Sequence, residues 1–240
     1  MSTNFRRGRS HTIEFWGDMA LFSQPDVTER FSYAFPTPSA IRGMVESICW
    51  KGRLGVFFQP TKLEVKNPVQ YFGYRRNEVK SKVAATRIKQ GRDASIIIEE
   101  NRTQRQSRVL LDPHYRVTGH YVTRHADTNL IALDAQLERR ALKGSCFRQP
   151  FFGCKEFIAF FKYIPGEERN TPFALPGLHV PPLTMVYDIF DLSKDNPPLG
   201  SSRKDSKPYI SVFTAFLTDG VMQIPEYQDQ TVLKVGGFHG

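Results

Sequence analysis

The sequence predicts an α+β fold, with strands and two amphipathic helices alternating over the first two thirds and a smaller antiparallel β unit after them. Three observations carry this expectation. Helical periods over residues 39–51 and 130–142 each stand between stretches of strand character. Apolar and polar residues alternate over 11–16 and again over 114–123. Beyond Pro165 the helical period disappears, and Pro-rich turns separate short β-prone runs.

Taken in order, residues 11–16 (HTIEFW) put Ile13 and Phe15 on one face of a first strand, which Gly17 and Asp18 end. A charged, Pro-containing loop leads to the first helix, where Ile41, Met44, Val45, Ile48 and Cys49 share a side. Thr37 or Ser39 is its expected N-cap. Residues 56–58 and 62–65 are strand candidates. The stretch 73–108 is rich in Lys and Arg, with Ile96, Ile97 and Ile98 its main apolar run; it reads as an inserted basic hairpin or a mobile loop.

Residues 114–123 then form a strand returning to the core. The second helix follows, with Leu130, Leu133, Leu137 and Ala141 inward and Gly144 as its stop. Residues 157–163 (FIAFFKY) are apolar enough for a strand buried on both faces. Two strand–helix–strand units of this kind fit a ferredoxin-like sheet with its helices on one side, the arrangement of RRM-type RNA binders. The expected division is a domain at 1–165 carrying the insertion, and a small antiparallel unit at 166–240 with short strands at 184–190, 209–216 and 221–224.

The charge points towards a polyanionic partner. Lys and Arg number 33 against 24 Asp and Glu, a formal net charge of +9. Neutralising phosphates releases counterions, so such an excess favours nucleic acid, although a soluble basic protein has the same composition. No apolar run reaches the roughly 18 residues of a membrane span, and the N-terminus lacks a secretory pattern, so a cytoplasmic location without membrane contact is expected. Cys49, Cys146 and Cys154 have no zinc spacing and read as reduced packing residues; neither metal nor organic cofactor is expected. P-loop and HExxH patterns are absent from the sequence.

Four strings carry a more specific signal: WGDMALF with ERFSY (16–22, 29–33), PTPSAIRGMVESICWK (36–51), RRNEV with NRTQR (75–79, 101–105), and RRALKGSCFRQPFFGCKEF (139–157). In this order, over about two thirds of the chain, they resemble the CRISPR-associated RAMP proteins of the Cas-five family, subtype I-C. The resemblance implies a ferredoxin-like RAMP domain and a place in a Cascade-type surveillance complex. There the chain would cap the repeat-derived 5′ handle of the CRISPR RNA, beside the backbone subunit, the large subunit and target DNA near the recognition end. In many members it also implies metal-independent endoribonuclease processing of precursor CRISPR RNA.

The candidate RNA contacts fall into two groups. Arg75, Arg76, Asn77 and Lys80, with Arg102, Gln104 and Arg105, lie in the insertion; arginine forks suit phosphate oxygens and amides read base edges. Taken alone, such a run is an ordinary solvated face. Arg139, Arg140 and Lys143 stand at a helix C-terminus, where the dipole favours cations anyway. Phe147 and Arg148 follow, an aromatic beside a cation that can stack an unpaired base.

Cleavage needs a base for the 2′-hydroxyl, an acid for the leaving oxygen and a stabilising cation. Processing members of the family place a Lys-His pair before the Arg-Arg of the second helix, and a Tyr or His before the Trp of the first. Here Ala132 and Leu133 stand at the first place and Cys49, before Trp50, at the second. None of these side chains is a natural substitute, so loss of cleavage is the expectation. His120 and His125 are the alternative catalytic candidates, although an odd spacing on a regular strand turns them to opposite faces. A non-specific duplex binder is the remaining alternative.

Overall fold

The computed structural model of the chain describes residues 5–25, 29–49, 55–81, 83, 85–91, 95–193 and 210–234. The elements run β1 (Arg6–Trp16), β2 (Met19–Ala20), β3 (Arg30–Phe31), α1 (Pro38–Ile48), β4 (Val56–Val65), β5 (Tyr71–Val79), α2 (Ala85–Lys89), α3 (Ile98–Asn101), β6 (Arg102–Leu111), β7 (His114–Thr123), α4 (Leu130–Leu142), β8 (Phe160–Tyr163), a 3-10 turn at Gly166–Asn170, β9 (Val180–Asp188), β10 (Ser211–Leu217), β11 (Val221–Gln223) and β12 (Leu233–Lys234).

The first sheet has the order β11-β4-β7-β1-β8. Without β11 this is second, third, first, fourth in the βαββαβ chain, every neighbour antiparallel, which is the ferredoxin-like arrangement. Both helices cover one face. Thr37 caps α1, its Oγ1 accepting from the Ala40 amide at 3.1 Å, and Pro38 takes the first turn, where it has no amide to lose. Ile41, Met44, Val45 and Ile48 of α1 and Leu130, Leu133, Leu137 and Ala141 of α4 are buried against Ile13, Phe15, Tyr115, Val117 and Tyr121.

A polar pin crosses this layer. The His11 ring, fully buried, has Nε2 at 2.9 Å from Asp134 Oδ1 and Nδ1 at 3.0 Å from the Tyr163 hydroxyl. It ties β1, α4 and β8 together, and a buried polar group needs such partners.

Three expectations are corrected. Residues 157–163 do not form a strand buried on both faces: β8 is four residues long, pairs only with β1, and leaves Ile158 and Phe160 about half exposed. Its edge position, with helices on one side only, is the reason. Residues 56–58 and 62–65 are one strand, β4, continuing through Pro60 because the register shifts between Pro60 and Lys62 and spares the missing amide. Residues 221–224 do not stay with the C-terminal sheet: β11 pairs with β4, so the C-terminal stretch is stitched into the first sheet.

That C-terminal stretch otherwise forms the sheet β12-β10-β9. Arg42 of α1 fixes it, its guanidinium donating to Asp188 at the end of β9 at 2.7–3.1 Å while also meeting Glu46 at 3.3 Å. Residues 194–209, which lead into the second of the expected C-terminal strands, and Trp50 lie outside the described residues. No helix among the described residues is long and apolar enough to cross a membrane.

Candidate nucleic-acid interface

The insertion is a β-hairpin. β5 and β6 pair antiparallel from Tyr71 opposite Leu110 to Val79 opposite Arg102, and the other edge of β6 holds β2 and, in parallel, β3. A strand alternates its side chains between faces, so the pairing sorts the basic run in two.

On the inner face Arg76 and Arg105 stand opposite each other beside Glu78. Glu78 accepts from Arg76 at 2.5 and 2.9 Å and from Arg30 of β3 at 3.0 Å, and lies 3.5 Å from Arg105; Arg76 also bonds Glu156. Burial alone would raise the Glu78 carboxyl. The Arg76 hydrogen bond and the charges of Arg30, Arg76 and Arg105 override it and hold the group below its ordinary value. These arginines are engaged in holding the hairpin.

The outer face is different. Arg75 stands opposite Gln106, Asn77 opposite Gln104, Val79 opposite Arg102 and Gly73 opposite Arg108. Arg75, Asn77, Arg102, Gln104, Gln106 and Arg108 are all exposed, and this ladder of β5 and β6 contains no carboxylate. Lys80 follows at the end of β5, exposed, its amide bonded to the Asn101 carbonyl at 2.8 Å. Of the seven insertion candidates read from the sequence, Arg75, Asn77, Arg102 and Gln104 therefore share one free face, while Arg76 and Arg105 do not. The sequence reading left Gln106 and Tyr71 out; once the strands are paired, their parity with Gln104 and Arg75 is the signal that finds them.

The second group lies at the far end of α4. Arg139, Lys143, Phe147 and Arg148 are exposed, and the Arg148 guanidinium stands 5.5 Å from the Phe147 ring centre. Arg140 instead donates to the Ile48 carbonyl at 3.1 Å. The Phe147 and Arg148 amides bond the Ser47 carbonyl at 3.0 and 2.9 Å, so this loop closes the C-terminus of α1. Phe152, by contrast, is fully buried.

RRM proteins bind RNA on the sheet face opposite their helices, through aromatic side chains of the central strands. That face is built otherwise here. The central strands present Ser10, Thr12, Glu14, Arg116, Thr118 and His120, with aromatic side chains only at one end, where Trp16 meets His114 and stacks on Phe160 of β8, and a segment after the 3-10 turn lies over part of the face. The Arg116 guanidinium binds Glu14 at 2.8 Å and the Thr171 carbonyl at 2.8 Å, beneath the Phe173 ring at 4.3 Å.

Of the two histidine candidates, His120 lies on this face and His125 in the loop after β7. Nε2 of His120 is buried without a hydrogen-bond partner. Burial lowers its pKa; Glu226 works against the shift and Arg7 with it. The His125 amide donates to Thr123 Oγ1 at 3.1 Å and its carbonyl accepts from Arg6 at 3.2 Å.

Ala132 is exposed on α4 and Leu133 faces the core, so neither offers a proton-transferring group. Cys49 is buried, its carbonyl accepting from the Tyr121 hydroxyl at 3.1 Å. Among the described residues no three His, Cys, Asp or Glu side chains gather to hold a metal.

A pH dependence follows from His120 and His114. Burial also lowers His114, with Lys66 adding to the effect and Glu14 opposing it. A histidine pKa below its unfolded value of about 6.5 means that the unfolded chain binds more protons. The stability from the neutral rings is complete above that value and is lost as the pH falls through the lowered folded values. Thermal melts should therefore lose midpoint as the pH falls below about 6.5, and the double variant His114→Gln, His120→Gln should lose less.

Comparison with known proteins agrees with this architecture. The family model described as CRISPR-associated protein (Cas_Cas5), of the Cas5d type, matches residues 12–225. A protein of Mannheimia succiniciproducens named CRISPR pre-crRNA endoribonuclease Cas5d is 32% identical over 237 residues, 92% of this chain and 97% of that one. A protein of the same name from Thermus thermophilus is 31% identical, covering 95% and 97%. A crystal structure of a CRISPR-associated protein superposes with a TM-score of 0.65 at 21% identity, covering 96% of this chain and 100% of its own; at that identity the likeness establishes the fold. With a family match over most of its length and two relatives above 30% identity, the chain belongs to the Cas5d family of CRISPR-associated proteins.

Proposed function

We propose that the chain is the guide-holding subunit of a Cascade-type complex, binding the 5′ handle of the CRISPR RNA along the outer face of the β5–β6 hairpin. The observation that carries this reading is that outer ladder of arginines and amides without a carboxylate, in a chain of net charge +9. Arginine forks would hold phosphates and the amides of Asn77, Gln104 and Gln106 would meet base edges or 2′-hydroxyls. Arg139, Lys143, Phe147 and Arg148 offer a second contact at the end of α4. Exposed apolar side chains supply protein-facing surface for the backbone and large subunits: Ile88, Ile97 and Ile98 beyond the hairpin strands, and Trp16 with Phe160 at the β8 edge. Target DNA near the recognition end belongs to the same reading.

The names of the two curated relatives favour a second reading, in which the chain itself cuts the precursor. The side chains of Cys49, Ala132 and Leu133 argue against it, since none supplies a base, an acid and a cation together. His120, whose pKa burial lowers and whose buried Nε2 has no hydrogen-bond partner, is the first substitute base to test.

One assay separates these readings. Purified protein is incubated with a labelled precursor carrying the repeat of its own array, in EDTA, and the products are resolved on a sequencing gel. The expected result is tight binding of an uncut precursor. A single cut beneath the repeat hairpin would make the chain the processing enzyme, with His120 and His125 the first residues to replace. A non-specific duplex binder would instead lose all preference for the repeat over scrambled RNA as salt is raised.

A further inference from the structure

At the root of the hairpin the outer face opens into a depression of about 520 Å³. Its floor is two adjacent rows crossing the sheet. Phe31, Arg108 and Gly73 are register partners in one row; Gln106 and Arg75 are partners in the other, and Glu29, just before β3, lines the rim. The Arg108 guanidinium lies 4.4 Å from the ring centre of Tyr71, and Phe31 and Tyr71 are both more than a third exposed. Gly73 leaves open space where any other residue would place a side chain: a Cβ built there meets nothing within 4 Å.

We infer that this depression takes one unpaired nucleobase of the bound RNA, stacked on Phe31 and the Arg108–Tyr71 pair over the gap at Gly73. The volume lies within the range of small-ligand sites, larger than one base and open enough for its sugar. Aromatic rings and guanidinium planes are sequence-tolerant stacking platforms. Glu29 on the rim makes the pocket a site for a base rather than a phosphate, because a carboxylate repels a phosphate but accepts from an exocyclic amine. Gln106 beside it can do the same and also donate. The pocket therefore favours an amino-bearing base, adenine or cytosine, over uracil, while Arg75 at the end of the row takes the adjoining phosphate.

The inference rests on the RNA-binding reading above, and its test keeps the two apart. The probe is the repeat RNA of the protein's own array with 2-aminopurine placed at each unpaired position in turn; binding is followed by anisotropy and stacking by fluorescence quenching. One position should be quenched on binding. Gly73→Val fills the gap without removing a cation, and valine suits a strand. It should restore that fluorescence and weaken binding roughly tenfold, the scale of one base–aromatic stack, with the salt dependence unchanged. Phe31→Ala should do likewise, and uracil at that position should bind more weakly than adenine or cytosine. RNA that binds with no quenched position, or with quenching indifferent to Gly73→Val, overturns the pocket and leaves the RNA-binding reading standing. RNA that does not bind at all overturns both.

Discussion

The double variant Arg75→Glu, Arg102→Glu should lose at least roughly a hundredfold in affinity for the repeat RNA at physiological salt, because two phosphate-neutralising cations become two repelling anions on one face. Its neutral counterpart, Arg75→Ala with Arg102→Ala, should flatten the plot of log affinity against log salt by roughly 0.7 for each cation removed, the value for a single-stranded partner. The informative control is the inner face. Arg76→Ala and Arg105→Ala remove the same charge from the same strands. Their guanidiniums already face Glu78, which Arg30 still holds at 3.0 Å when either is gone, so the salt slope should barely move. Equal effects from the two faces would mean that the whole hairpin acts as a diffuse cation and that its pairing does not sort the contacts. Filter binding or anisotropy across a salt series reads all four variants.

Asp188→Ala should produce the largest stability loss, about 3–5 kcal/mol, the cost of leaving a buried guanidinium without its main partner. Arg42 is largely buried, its side chain 16% exposed, and that burial works to lower its pKa. The charges of Asp188 and Glu46, with their hydrogen bonds, reverse that and raise it. Asp188 also accepts from the amides of Ile189 and Phe190 at 2.8 and 3.0 Å, so its removal unties the turn after β9 as well. Urea denaturation should give a lower midpoint with an unchanged slope if the sheets still unfold together. Asp188→Asn keeps the hydrogen-bonding shape and should cost less. The double variant Arg42→Met, Asp188→Leu removes both charges and should recover part of the loss, as replaced buried ion pairs often do. A full-sized loss in that double variant would assign the effect to packing of the C-terminal sheet instead.

How far the sequence led differs from element to element. The ends of β7 and α4 fall where alternation and helical period place them, and Thr37, one of the two expected candidates, caps α1, because these signals are carried by residues a few positions apart. The family resemblance likewise rests on strings readable in order along the chain. Buried groups that break the pattern were not legible. Asp134 lies on the apolar side of α4 and His11 in β1, and each is a misplaced polar residue until the other is found 123 positions away.

The basic insertion shows the division most clearly. Its composition is legible directly and leaves a hairpin or a mobile loop open, but which arginines are free is not legible. That depends on strand register, on Arg30 from β3 and on Glu156 from the loop before β8, all distant in the chain. The same holds for β11, which leaves its own sheet to pair with β4, and for the sheet face lying beneath Phe173. The sequence by itself determined the fold class, the two long helices α1 and α4, the excess of positive charge and the family. Only the tertiary structure decided which strands are edges, which cations are already spent on carboxylates and where an open depression lies. Local periodicity and capping are short-range interactions written in neighbouring residues, whereas register and ion pairing exist only once remote segments meet.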